Sequence, residues 1–138
     1  MTAKEYLREI RKYRNSKRRL QRKIKELNED LYTIGGFDYS RDRVQNDTPK
    51  DLISDKVMRL IDLQRKYERA VIVYNEELAL RENQIMSLEK ESHREILGAI
   101  YLDYMSLKDA AYELGYSYHR ACHIHGDALQ VFTKKYLI

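Results

Sequence analysis

The chain has 138 residues, enough for one domain or for a small domain with an extended arm. Charged residues make up 35% and hydrophobic ones 43%, with five glycines and one proline, a helix-rich composition that excludes a disordered chain. The net charge is +4, the longest strictly apolar run is Ala70-Val-Ile-Val73, and Cys122 is the lone cysteine, which excludes a membrane span and an intrachain disulfide. Lys4, Glu5, Arg8 and Glu9 interrupt any signal-peptide core, so a cytoplasmic location is expected.

From Tyr6 the positions Ile10, Tyr13, Lys17, Leu20, Ile24, Leu27, Leu31 and Ile34 follow at alternating spacings of four and three. That heptad predicts a long amphipathic helix, closed by Gly35-Gly36. A polar loop is expected over 35–48. Thr48 suits the cap of a second helix, and Pro49 its first turn. A second heptad runs through Ile53, Val57, Leu60, Gln64, Tyr67, Val71, Tyr74, Leu78, Arg81, Ile85 and Leu88.

Two such helices should fold back as an antiparallel, coiled-coil-like hairpin, because each otherwise leaves its seam in water. Lys17, Gln64 and Arg81 on the seam would fix register at a cost in stability. Helix two also carries Ile72, Val73, Ala79, Leu80 and Met86 away from that seam. Either the C-terminal domain or another subunit must cover them, and a homodimer is the favoured expectation.

Ser92 with Glu95 reads as a capping pair, which puts a domain boundary near residue 91. The following helix offers Ile96, Leu97, Ile100, Leu102 and Tyr104 to a small core that Phe132 can close. Ser106 with Asp109 then opens a helix whose Leu107, Ala110, Ala111 and Leu114 keep helical spacing. Gly115 stands where that helix must stop, since glycine enters the left-handed region without steric cost. Ser117 can cap a last helix with Ala121, Ile124 and Ala128 on one face. This is the pattern of a helix-turn-helix, whose second helix reads DNA in the major groove.

Leu102-Asp-Tyr104, Leu107, Asp109-Ala-Ala111, Leu114-Gly-Tyr-Ser117 and His125-Gly-Asp-Ala-Leu129 resemble the sigma-70 region 4 type of helix-turn-helix. The whole chain is similar to ArpU/RinA-type phage regulators of late transcription, with a start at Thr2-Ala-Lys-Glu-Tyr6 and the segment Asp42-Arg-Val-Gln45. Ala110 and Ala121 depart from the larger aliphatics usual at the motif's core positions. The resemblance implies a DNA-binding activator of phage or mobile-element late genes that acts with host RNA polymerase near the nucleoid of a bacterial host.

The expected fold is therefore all-α. Residues 1–91 form a long antiparallel helical hairpin for oligomerisation or partner binding, and 92–138 a small helix-turn-helix domain that binds double-stranded DNA. Ser117 starts the reading helix, and Tyr118, His119, Arg120, Cys122, His123 and Asp127 face outward, with Tyr118, His119, Arg120 and His123 as the candidate DNA contacts. Arg120 is the candidate for bidentate contact to guanine.

Residues 92–138 nevertheless hold five charges of each sign, whereas 11–25 hold nine Lys or Arg and no acid. Lys17, Arg18, Arg19, Arg22 and Lys23 are thus candidate phosphate contacts, with a solvated face or an acidic partner as the alternatives. His119, Cys122, His123 and His125 also suggest a metal, but structural zinc wants four ligands from two segments and only His93 lies elsewhere. No metal site, cofactor or catalytic residue is assigned, and no phosphate loop or carboxylate cluster indicates an enzyme. The rival functions are a small terminase subunit for DNA packaging and a polymerase-binding module without direct DNA readout.

Overall fold

A computed structural model describes residues 1–35 and 50–138. Among them the chain is all-helical: α1 (Ala3–Gly35), α2 (Lys50–Met86), α3 (Glu91–Leu97), a π-helical segment (Gly98–Leu102), α4 (Leu107–Leu114) and α5 (Tyr118–Tyr136). The expected loop after Gly35, with Asp42–Gln45, and the Thr48-Pro49 start signal lie outside the described residues. No helix among the described residues is long and apolar enough to cross a membrane.

The chain divides into two compact units, one of residues 1–13 with 73–138 and one of residues 14–72. The first unit is built around one apolar cluster. Ala3 and Leu7 of α1 and Ile85 of α2 join Leu88, Ile96, Leu97, Ile100, Ala111, Ile124, Ala128 and Phe132. The division expected at residue 91 therefore falls inside this cluster. The three short C-terminal helices bury too little apolar surface alone, and the ends of α1 and α2 complete their core. Phe132 is fully buried at the centre, 5.9 Å from the Tyr6 ring and 5.1 Å from Tyr136. Truncation of such a side chain costs about 3–5 kcal/mol. Ala110 and Ala121 are both fully buried, so at these positions a small side chain lets α4 and α5 approach closely.

The N-terminus of α1 is closed by a reciprocal capping box. Thr2 Oγ1 accepts from the Glu5 N–H at 3.2 Å, and Glu5 Oε2 accepts from the Thr2 N–H at 3.0 Å. Within this unit α1 and α2 pair antiparallel. The Tyr6 hydroxyl donates to Gln84 at 2.7 Å and Arg81 Nη2 donates to Glu9 at 3.1 Å.

Local order differs from expectation in two places. Ser92 is not the cap of α3: the helix starts at Glu91 after Lys90, which offers no side-chain cap bond. Arg94 organises the connection instead, donating to the carbonyls of Leu88 at 2.6 Å and Glu89 at 2.9 Å. Beyond Leu97 the backbone widens into the π-helical segment, with the Asp103 N–H bonded to the Gly98 carbonyl at 3.0 Å. Tyr104 then adopts φ 60°, and its hydroxyl shares a 2.7 Å bond with Tyr74.

In the second unit, Leu20, Ile24, Leu27 and Leu31 of α1 are at least half-buried, as the heptad predicts. In α2 the expected seats Ile53, Val57 and Gln64 are exposed, while Lys56 and Leu63 are half-buried. The ion pair of Lys56 with Asp30, at 3.1 Å, explains one shift, and the preference for leucine over glutamine at a seam explains the other.

Candidate nucleic-acid interface

The expected face is assembled by two serines and a glycine. Ser106 Oγ accepts from the Asp109 N–H at 3.1 Å and starts α4. Gly115 closes α4 at φ 78°, with the Tyr116 N–H returning to the Ala111 carbonyl at 2.8 Å. Ser117 Oγ accepts from the Arg120 N–H at 3.1 Å and starts α5. Each cap satisfies an otherwise orphaned N–H, a contribution of about 1 kcal/mol.

Ala121, Ile124 and Ala128 point into the core, which turns the rest of the α5 surface outward. Tyr118, His119, Arg120, His123 and Asp127 are all exposed, whereas Cys122, expected outward, is half-buried against the packed side of the helix. The His119 and His123 rings lie edge to face, with their Nε2 atoms sharing a 3.2 Å hydrogen bond. The Arg120 side chain has no bond among the described residues, so its guanidinium is available to a ligand. Gly126 is also exposed, and nothing lies within 4 Å of where its Cβ would be. Among the described residues no three His, Cys, Asp or Glu side chains are placed to hold a metal ion.

Tyr118, Cys122 and His125 stand at i, i+4 and i+7, along one flank of α5. His125 is half-buried there; its Nε2 lies 2.8 Å from the Tyr101 hydroxyl, and the two rings stack at 5.8 Å. Burial first, and then the positive charges of Lys4 and Arg8, hold the His125 pKa below its ordinary value. Burial raises the Tyr101 pKa, opposed by Arg8 and Arg11.

The candidate phosphate contacts lie elsewhere. Lys17, Arg18, Arg19, Arg22 and Lys23 belong to the second unit, on α1. Arg18, Arg19, Arg22 and Lys23 are exposed and Lys17 is half-buried. The α1 cations that share a unit with α5 are instead Lys4, Arg8, Arg11 and Lys12, of which the first three stand in a row. Their i, i+4, i+7 spacing was the available signal, hidden by the denser basic run that follows. Comparison with known protein families, known proteins and solved structures finds no match to this chain.

Proposed function

We propose that this protein is a sequence-specific DNA-binding transcription regulator that activates late genes of a phage or mobile element. One observation carries the reading: two capped helices joined at a left-handed glycine leave Tyr118, His119, Arg120 and His123 exposed on the second helix, with the Arg120 side chain unpaired among the described residues. In this reading α4 and α5 form a helix-turn-helix, and α5 enters the major groove by its N-terminal half. The two long helices make an antiparallel hairpin, and exposed Val73, Leu80 and Met86 pair it with a second copy. Two half-sites are then read together, and host RNA polymerase is recruited beside them.

The test is binding of the purified protein to duplex fragments from its own genomic neighbourhood, over a salt series. Tight binding to one fragment, weakened by Arg120→Ala and His123→Ala, is the expected result. Retention of full affinity and selectivity by both variants would sink direct readout. A ring-shaped oligomer bound to a large ATPase subunit would favour the terminase reading instead.

A second reading, a polymerase-binding module, is favoured by one feature of the first unit. A cleft of about 390 Å³ has Met86, Met105 and Leu114 in its lining, with four acids, Glu91, Glu95, Asp103 and Glu113, against one base, Arg94. Such a cleft suits a basic amphipathic segment. Loss of polymerase binding in Asp103→Lys and Glu113→Lys, with no duplex binding by the wild type, would establish that reading.

A further inference from the structure

The reader domain has no excess of positive charge, yet duplex binding is driven by cations laid along phosphates. The first unit is near neutral in sum, but several of its acids are engaged or grouped together. Glu9 and Glu77 are engaged with Arg81, at 3.1 and 2.5 Å, on the side of α1 that faces α2. Glu91, Glu95, Asp103 and Glu113 surround the cleft beside Met86. Glu5 is held by the Thr2 N–H in the capping box. The exposed cations of α1 in this unit are Lys4, Arg8, Arg11 and Lys12, and Lys4, Arg8 and Arg11 form a row at i, i+4 and i+7. None of the three has an ion pair or hydrogen bond among the described residues.

That row lies next to α5. Ala3 and Leu7, one residue before Lys4 and Arg8, are buried in the same cluster as Ala128 and Phe132. Lys4 lines a cleft of about 300 Å³ together with Gln130 and Thr133. Farther back along α5, the charges of Lys4 and Arg8 reach His125, and those of Arg8 and Arg11 reach Tyr101, whose ring stacks on His125. The order along α1 thus opposes the order along α5. The row runs from the Gln130–Thr133 stretch of α5 toward His125.

We propose that Lys4, Arg8 and Arg11 form a phosphate-binding rail beside α5, gripping the backbone of the duplex whose groove α5 enters. The inference rests on the DNA-binding reading and adds to it the source of its affinity. It assigns that role to the first three turns of α1 rather than to residues 17–23. α1 is then part of the DNA-binding surface as well as an arm of the hairpin.

The probe is a fluorescein-labelled 30-base-pair duplex of mixed sequence, with anisotropy followed from about 50 to 200 mM KCl. The wild type is compared with the triple variant Lys4→Ala/Arg8→Ala/Arg11→Ala, with Arg18→Ala/Arg19→Ala/Arg22→Ala, and with Arg120→Ala. Each phosphate contact contributes about 0.9 to the log–log salt slope, so the first triple variant should flatten it by about 2.7 and lower affinity at least tenfold. The single variant Arg8→Gln, which keeps a polar side chain at an exposed position, should flatten the slope by about 0.9. Arg120→Ala should leave binding to this probe nearly unchanged. An unaltered slope in the Lys4/Arg8/Arg11 variant, with the loss appearing in the Arg18/Arg19/Arg22 variant, overturns the rail and leaves the DNA-binding reading standing. Absence of duplex binding by the wild type at 50 mM KCl overturns both.

Discussion

Arg81 of α2 reaches Glu9 of α1 at 3.1 Å through Nη2, while its Nε donates to the Tyr6 carbonyl at 3.0 Å. The guanidinium is 1% exposed, stacks 4.3 Å above the Tyr6 ring and also binds Glu77. The fork makes four hydrogen bonds, two of them to carboxylates, which is the kind of pairing that lets a buried arginine be retained. Arg81→Ala should cost about 2–4 kcal/mol, because it leaves a carbonyl and two partly buried carboxylates without their donor. Arg81→Met, close in volume, should lose less, and urea unfolding of the two variants separates charge pairing from packing.

Burial of His125, with the charges of Lys4 and Arg8 beside it, makes stability depend on pH. Its folded-state pKa is depressed below the ordinary 6.5, so the folded state binds fewer protons than the unfolded chain in acid. The contribution is fully present above pH 6.5 and is lost as pH falls from there through the depressed value. His93, lowered first by burial and then by Lys90, acts in the same direction. Urea midpoints measured at pH 7.5 and 5 should fall further for the wild type than for His125→Gln.

The two cap serines and Gly115 are expected to contribute to stability separately. Ser106→Ala and Ser117→Ala should each cost about 1 kcal/mol. Gly115→Ala should cost about 1–2 kcal/mol, since φ 78° is strained for any residue with a Cβ. Thermal unfolding followed by circular dichroism measures all three.

Gly126 lies inside α5 with open space around it, so nothing among the described residues requires a glycine there. Gly126→Ala should raise stability by up to about 1 kcal/mol. A parallel loss of duplex affinity would show that a ligand approaches the backbone at this turn of α5.

Val73, Leu80 and Met86 are 41%, 47% and 50% exposed on α2, apolar surface that the single chain leaves in water. Leu80→Glu should shift the protein from dimer to monomer in sedimentation velocity, with helix content retained. A wild type that sediments as a monomer at high micromolar concentration would remove the two-half-site arrangement.

Local signals were sufficient for much of this protein. The α1 heptad, the Ser106 and Ser117 caps, the Gly115 turn and the inward face of α5 are all readable from spacing, because each depends on residues within a turn or two of one another. The outward set Tyr118, His119, Arg120 and His123 follows from the same periodicity. Tertiary structure alone decided three things. The core of the C-terminal helices extends into Ala3, Leu7 and Ile85, since burial is satisfied by whichever apolar faces meet and not by neighbours in sequence. The α2 seam admits Lys56 because Asp30 lies opposite, a pairing across 26 positions that no local pattern encodes. And the acids nearest the start of α1 are drawn away, Glu9 by Arg81 and Glu5 by Thr2, which leaves Lys4, Arg8 and Arg11 unpaired beside α5. Composition records how many charges a segment holds, but only packing determines which of them remain available to a ligand.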